Sequence, residues 1–130
     1  MDQMFAKWQP AALSLFRFIT GLLLFQYGVA KIFKFPVLPY FANIPTLIYV
    51  AGLVELILGA MLMVGLFTRP VAFILSGEMA FAYWMAHAPQ SPFPVVNGGD
   101  AAILYCFVFL YLAFAGGGTW SLDALLRRRA

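Results

Sequence analysis

Four long apolar runs, divided by short stretches of proline and glycine, dominate this chain of 130 residues. They extend from about Ala11 to Phe33, Thr46 to Phe67, Val71 to Ala88 and Ala101 to Gly118. A helix needs roughly 20 apolar residues, within a range of about 17–25, to cross the hydrocarbon layer of a bilayer. The first two runs meet that length easily and the third fits. The fourth is short if it stops at Ala115, and sufficient if it continues through Gly116, Gly117 and Gly118. Pro36, Pro39 and Pro45 break the chain after the first run. Arg69-Pro70 makes a tight turn after the second, with Pro70 suited to a helical first turn. Pro89, Pro92 and Pro94 open the third connection, which ends in Asn97-Gly98-Gly99-Asp100, a turn leading to a capping acid. The three glycines close the last run, and Ser121-Leu122-Asp123 starts a short amphipathic tail.

Composition decides what surrounds these runs. Hydrophobic residues make up 64% of the chain and charged residues 10%, against about half and about a quarter in a soluble domain. A short chain has too much surface for its volume to hide that much apolar area from water. A soluble enzyme, a disordered tail and a disulfide-stapled secreted domain are excluded, and an integral membrane protein is expected. The lone Cys106 lies inside an apolar run, so the chain by itself cannot carry out dithiol–disulfide chemistry. The first run is longer than the apolar core of a signal peptide and contains Arg17, so it reads as a retained transmembrane helix.

The formal net charge is +3, and three of the eight basic residues are the consecutive Arg127, Arg128 and Arg129. The others are scattered singly, which is not the basic face that a nucleic-acid binder needs. It suits the rule that basic residues stay on the cytoplasmic side of a membrane. An even number of spans puts both termini on one side. Lys7, Arg69 and the arginine tail would share that side, and Lys31 and Lys34 the other. The expected fold is therefore all-α: one domain over 1–130, an integral membrane four-helix bundle with short loops and both termini cytoplasmic. Trp8, Tyr40, Trp84 and Trp120 fall near span ends, where aromatic belts form. The connection from Lys34 to Pro45 is rich in apolar and aromatic residues and is expected to lie in the interface or dip into the bundle.

Ionisable groups at membrane depth are costly, so each marks a candidate site. They are Arg17, Glu55 and Glu78. At about 100° per residue, Arg17, Gly21, Gly28 and Lys31 share one stripe of the first helix, and Gly52, Glu55 and Gly59 share one stripe of the second. Small residues beside a polar one are what a close helix contact in lipid uses. The simplest arrangement is a core cluster of Arg17, Glu55 and Glu78, in which one cation faces two acids and one acid holds a proton. The competing reading is an ion pair that only sets helix register. A second cluster, Lys31, His87, Asn97 and Asp100, lies towards the external ends of the runs. There Asp100 has a capping role as its plainer reading, and His87 a hydrogen bond to a loop carbonyl. No metal-ligand spacing is present.

Several pieces together give the chain a resemblance. They are Arg17-x-x-x-Gly21 with Gly28-x-x-Lys31, Glu55-x-x-x-Gly59, and Leu66-Phe67-Thr68-Arg69. Asn97-Gly98-Gly99-Asp100 with Leu104-Tyr105 follows, then Gly116-x-Gly118 with Ser121-Leu122-Asp123. In this order and spacing the chain resembles the DoxX family of small bacterial membrane proteins over nearly its whole length. It departs from the family at Asp100, where glutamate is frequent. The resemblance implies a place in the inner membrane and a role near quinone-linked redox or oxidative-stress metabolism. Relatives are linked to quinone-linked oxidation in archaea, to thiosulfate–quinone oxidoreduction, and to a mycobacterial complex with superoxide dismutase and a sulfurtransferase.

Three functions follow from this. One is an accessory subunit that binds a quinone or other apolar ligand in the bundle. It has no intrinsic cofactor, because haem, flavin and iron–sulfur ligation patterns are missing, so a redox partner protein would carry the electrons. Another is a non-catalytic anchor or lipid-binding module in contact with the bilayer. The third is proton-coupled transport of a small solute, which four helices achieve only as a homo-oligomer. Nothing in the sequence shows that the chain catalyses a reaction alone.

Overall fold

The computed structural model describes residues 1–35 and 43–129, and the side chains of all of these except 128 and 129. The described residues are helical and contain no strand. In chain order they form α1 (Asp2–Lys7), α2 (Gln9–Phe33), α3 (Thr46–Val64) and α4 (Thr68–Ala82). A wide π-helical turn, Tyr83–His87, and a tight turn, Ala88–Gln90, lead to the short α5 (Pro94–Asn97), then α6 (Asp100–Ala115) and α7 (Leu122–Arg129). The chain divides into two compact units: Met1–Thr68 with Gly117–Ala130, and Arg69–Gly116. The connection expected to dip towards the bundle falls mostly on residues 36–42, outside the described residues, as does Tyr40.

Helices α2 and α3 are each long and apolar enough to cross a membrane, with mean hydropathies of 1.5 and 2.4 over their most apolar windows. Only 22% of that window of α3 is buried, so most of a very apolar surface faces outward, as it does in a helix solvated by lipid. The apolar α6 has 16 residues and stops at Ala115, short of Gly118. Gly116, at φ 84°, ends it. The second run likewise ends before Phe67, because Gly65 takes a left-handed conformation at φ 74° and closes a Schellman turn. In that turn the Leu66 amide donates to Met61 O, and the Gly65 amide to Leu62 O.

The core of the first unit is the antiparallel contact of α2 with α3. The stripes expected from periodicity are the faces that pack. Arg17, Gly21 and Gly28 are buried on α2, and Gly52, Glu55, Gly59 and Leu62 on α3. Glycine is required here for space. A methyl at Gly28 would lie 2.6 Å from the amide nitrogen of Leu56 and 2.8 Å from its Cα, and one at Gly21 would lie 2.9 Å from the Met63 nitrogen. The two backbones thus approach as closely as their atoms allow, which raises dispersion attraction where apolar burial gives little between helices in lipid. In the second unit, α4 buries Val71, Ala72, Leu75 and Met79, and α6 buries Phe109 and Leu112. The Ser76 hydroxyl joins these two helices by donating to Cys106 O at 2.8 Å.

Two glycine substitutions test this packing. Gly28→Ala pushes a methyl into backbone that cannot move without separating the helices, and should cost about 1–3 kcal/mol. Gly77→Ala meets nothing within 4 Å among the described residues and should be neutral or slightly stabilising. Unfolding midpoints in detergent, compared for the two variants, measure the difference.

Candidate functional site

Two cations, Arg17 buried and Lys31 half-buried, organise the first unit, and the structure separates them. Lys31, in the last turn of α2, holds Glu55 of α3 through both carboxylate oxygens, at 2.8 and 2.9 Å. The pair is shielded, with side-chain exposures of 14% for Lys31 and 4% for Glu55. Gly52 makes room for it, since a methyl there would lie 2.8 Å from Lys31 Cβ. Arg17, at 3% exposure, bonds to carbonyls instead. Its Nη1 donates to Gly117 O, and its Nη2 donates to Met63 O at 3.2 Å and Trp120 O at 3.1 Å.

The expected contact of Arg17 with Glu55 is therefore corrected. The reason lies in direction and register. Side chains lean towards the N-terminus of their own helix. On α2 this carries Lys31 back towards the level of Glu55 and carries Arg17 away from it. Arg17 instead reaches the end of α3, where a side chain at Gly65 would meet its Nη1 at 2.8 Å. Positions 55 and 65 are separated by about 15 Å of helix rise. Lys31 pairs with Glu55 within the first unit. Glu78 is half-buried on α4, in the second unit.

Arg17 finds carbonyls because helix ends leave them unbonded. The Schellman turn satisfies Met61 and Leu62, and Arg17 takes Met63. The glycine turn after α6 supplies Gly117 O, which also accepts from the Ser14 hydroxyl at 3.1 Å. The same hydroxyl accepts from the Trp120 amide at 2.9 Å. Ser14 stands one turn before Arg17 on α2, so its place on the same stripe was a readable signal. Gly118, at φ 83°, lies too close to Ser14 and to Pro10 O for any side chain.

Asp123 completes the knot. Its carboxylate accepts from the Phe67 amide at 2.7 Å and from the Thr68 amide at 2.8 Å, the two amides that lead into α4. Its own amide donates to Gly65 O at 2.9 Å. The Ser121 hydroxyl accepts from the Ala124 amide at 3.1 Å, an N-cap for α7. The sequence placed Asp123 in a tail; only the structure shows it fastening the turn between α3 and α4. In the second unit, Arg69 plays Arg17's part by donating to Phe114 O near the end of α6.

Of the remaining candidates, His87 and Asn97 meet in the second unit. His87 Nδ1 lies 3.0 Å from Asn97 O, the loop-carbonyl contact expected of it. Asn97, only 4% exposed, donates from Nδ2 to Ser91 O at 2.9 Å and to Tyr83 Oη at 3.2 Å, and its Oδ1 accepts from the Gly99 amide at 2.8 Å. The Asn-Gly-Gly turn is thus folded around one side chain. Asp100 is not the N-cap of α6. Gly99 occupies that position, and Asp100 is the first helical residue, where its charge meets the positive end of the helix dipole. Among the described residues, no three of His, Cys, Asp and Glu come together in a way that could hold a metal ion.

The knot gives two expected outcomes in unfolding experiments in detergent. Arg17→Lys replaces a planar fork by a point charge that cannot span three carbonyls, and should cost about 1–3 kcal/mol for each carbonyl left unbonded. Asp123→Ala should cost about 1 kcal/mol, the usual worth of such a cap. An Arg17→Lys midpoint equal to that of the unaltered chain would contradict the knot.

Comparison with known proteins follows the same residues. No solved structure matches the chain. An uncharacterised protein of Haemophilus influenzae is 38% identical over 123 residues, covering 90% of this chain and 92% of that protein. Residues 12–88, which hold Arg17, Lys31, Glu55 and the turn into α4, match the DoxX family. The chain belongs to the DoxX family.

Proposed function

We propose that this DoxX protein is a four-span subunit of the bacterial inner membrane that serves quinone-linked redox metabolism, presenting a polar, proton-carrying site to a quinone or similar apolar ligand. It supplies no electrons itself, so a partner protein carries the redox centre. In this reading α4 with its π-helical extension, and α6 with the glycine turn, are the third and fourth spans of one transmembrane domain. Lys7, Arg69 and the arginine tail hold both termini in the cytoplasm.

The observation that carries the proposal is the Lys31–Glu55 pair. A quinone head needs hydrogen-bonding and proton-exchanging groups at the end of an apolar slot. Lys31 and Glu55 provide an ammonium donor and a carboxylate acceptor at 2.8 Å, on two helices apolar enough to cross a membrane. A buried pair of this kind is weak support for stability, because desolvation offsets its attraction. Its presence is therefore better accounted for by use than by stability.

Native mass spectrometry of the protein extracted gently from its own membrane tests this. A bound quinone or a stoichiometric redox partner is the expected result. Glu55→Gln should abolish it. That variant removes the Glu55 charge from beside the Lys31 ammonium, so the double change Lys31→Met with Glu55→Met serves as the folded reference. It should unfold within about 2 kcal/mol of the unaltered chain, since apolar replacement of a buried pair is often neutral or stabilising, and should also lack the ligand. Quinone retained at full occupancy in the double variant would reject the assigned site. A bare chain carrying bulk phospholipid alone would reject the quinone reading.

A further inference from the structure

A groove of about 220 Å³ opens on the first unit and is lined by Ser14, Leu15, Arg17, Phe18 and Trp120. Its walls are exposed apolar side chains: Leu15 at 59%, Phe18 at 39% and Trp120 at 65%. Its one charged lining residue is Arg17, and the charge balance there is incomplete. The three carbonyls that Arg17 bonds are neutral, and its Nε is buried with no hydrogen-bond partner. Among the described residues no carboxylate lies within ion-pair distance of Arg17. The acid whose field reaches it, Asp123, has its two oxygens on the amides of Phe67 and Thr68. A cation held this way in apolar surroundings favours an anion nearby.

We infer that this groove seats the phosphate of an anionic phospholipid beside Arg17, with acyl chain against Leu15 and Phe18 and the Trp120 ring at the headgroup level. Charge complementarity selects an oxyanion, and the exposed apolar walls select one that carries a hydrocarbon chain. The position agrees. Trp120 stands two residues before α7, which exposes Leu122, Leu125 and Leu126 at 37–50% and carries Arg127, Arg128 and Arg129. An amphipathic basic helix of this kind lies at the headgroup boundary and concentrates anionic lipid there. The inference rests on α2 spanning the membrane, and not on any quinone role: the groove's cation is Arg17, whereas the proposed quinone site uses Lys31 and Glu55.

The test uses the full chain, delipidated in detergent, with thermal unfolding and native mass spectrometry read after adding phosphatidylglycerol, phosphatidylcholine or inorganic phosphate. Phosphatidylglycerol should be retained about tenfold better than phosphatidylcholine and should raise the unfolding midpoint; inorganic phosphate should do neither. Because Arg17 also holds the fold, the groove is probed through its exposed walls. Phe18→Ala and Trp120→Ala should remove most of the preference, while Leu104→Ala, exposed elsewhere at 66%, should leave it. Removing residues 127–130 should lower affinity for phosphatidylglycerol without abolishing the preference. Four results would each overturn the inference: equal retention of the two lipids, stabilisation by inorganic phosphate alone, a preference untouched by both wall variants, or a preference lost wholly with the tail. Recovery of the chain in the soluble fraction without detergent would instead remove the membrane reading on which it rests.

Discussion

A carbonyl at the end of a helix has no partner within that helix, and in apolar surroundings it has no water either. Much of the first unit follows from how that constraint is met. The turn after α3 satisfies two carbonyls through the backbone, and Arg17 reaches across from α2 to take Met63 O. The same guanidinium takes Gly117 O and Trp120 O, so one side chain fastens the start of the chain, the end of α3 and the approach to α7. Arginine suits this role because its planar head carries several fixed donors. Arg69 repeats the solution at the end of α6.

This explains why the motif pieces of the chain stand where they do. Arg17, the Leu66–Arg69 turn, Gly116-x-Gly118 and Ser121-Leu122-Asp123 are far apart in sequence, and most of them meet in one knot. Gly118 admits no side chain next to Ser14, and Asp123 joins the amides of Phe67 and Thr68. The other motif glycines, Gly21, Gly28 and Gly59, act differently: they let α2 and α3 touch backbone to backbone. Around that contact the Lys31–Glu55 pair joins side chain to side chain across the two helices. This sets it apart from Arg17 as a candidate for chemistry.

How much of this was legible varied with the kind of signal. Periodicity is a local property, and it placed Arg17, Gly21 and Gly28 on one buried face and Gly52, Glu55 and Gly59 on another. Proline and glycine marked the breaks, although helix ends at Val64 and Ala115 fall earlier than hydropathy alone implies. Hydropathy continues through Leu66 and Phe67, while the left-handed Gly65 stops the helix. The contact of His87 with a loop carbonyl was also legible, because a histidine beside a proline-rich turn has few other partners. The capping role assigned to Asp100 was not, since the turn is folded around Asn97 and places Asp100 one residue later.

The sequence by itself determined that this chain is helical, that its apolar runs suit a bilayer, and which stripes of the first two helices face inward. Each follows from residue type and spacing within one segment. Only the tertiary structure decided which charge meets which. Glu55 pairs with Lys31 and not with Arg17, because the register of α3 against α2, and the lean of side chains towards each helix's N-terminus, are set by packing between segments. The assembly of Ser14, Arg17, Gly117 and Asp123 likewise depends on where two turns and a tail meet in space. No local pattern encodes that meeting.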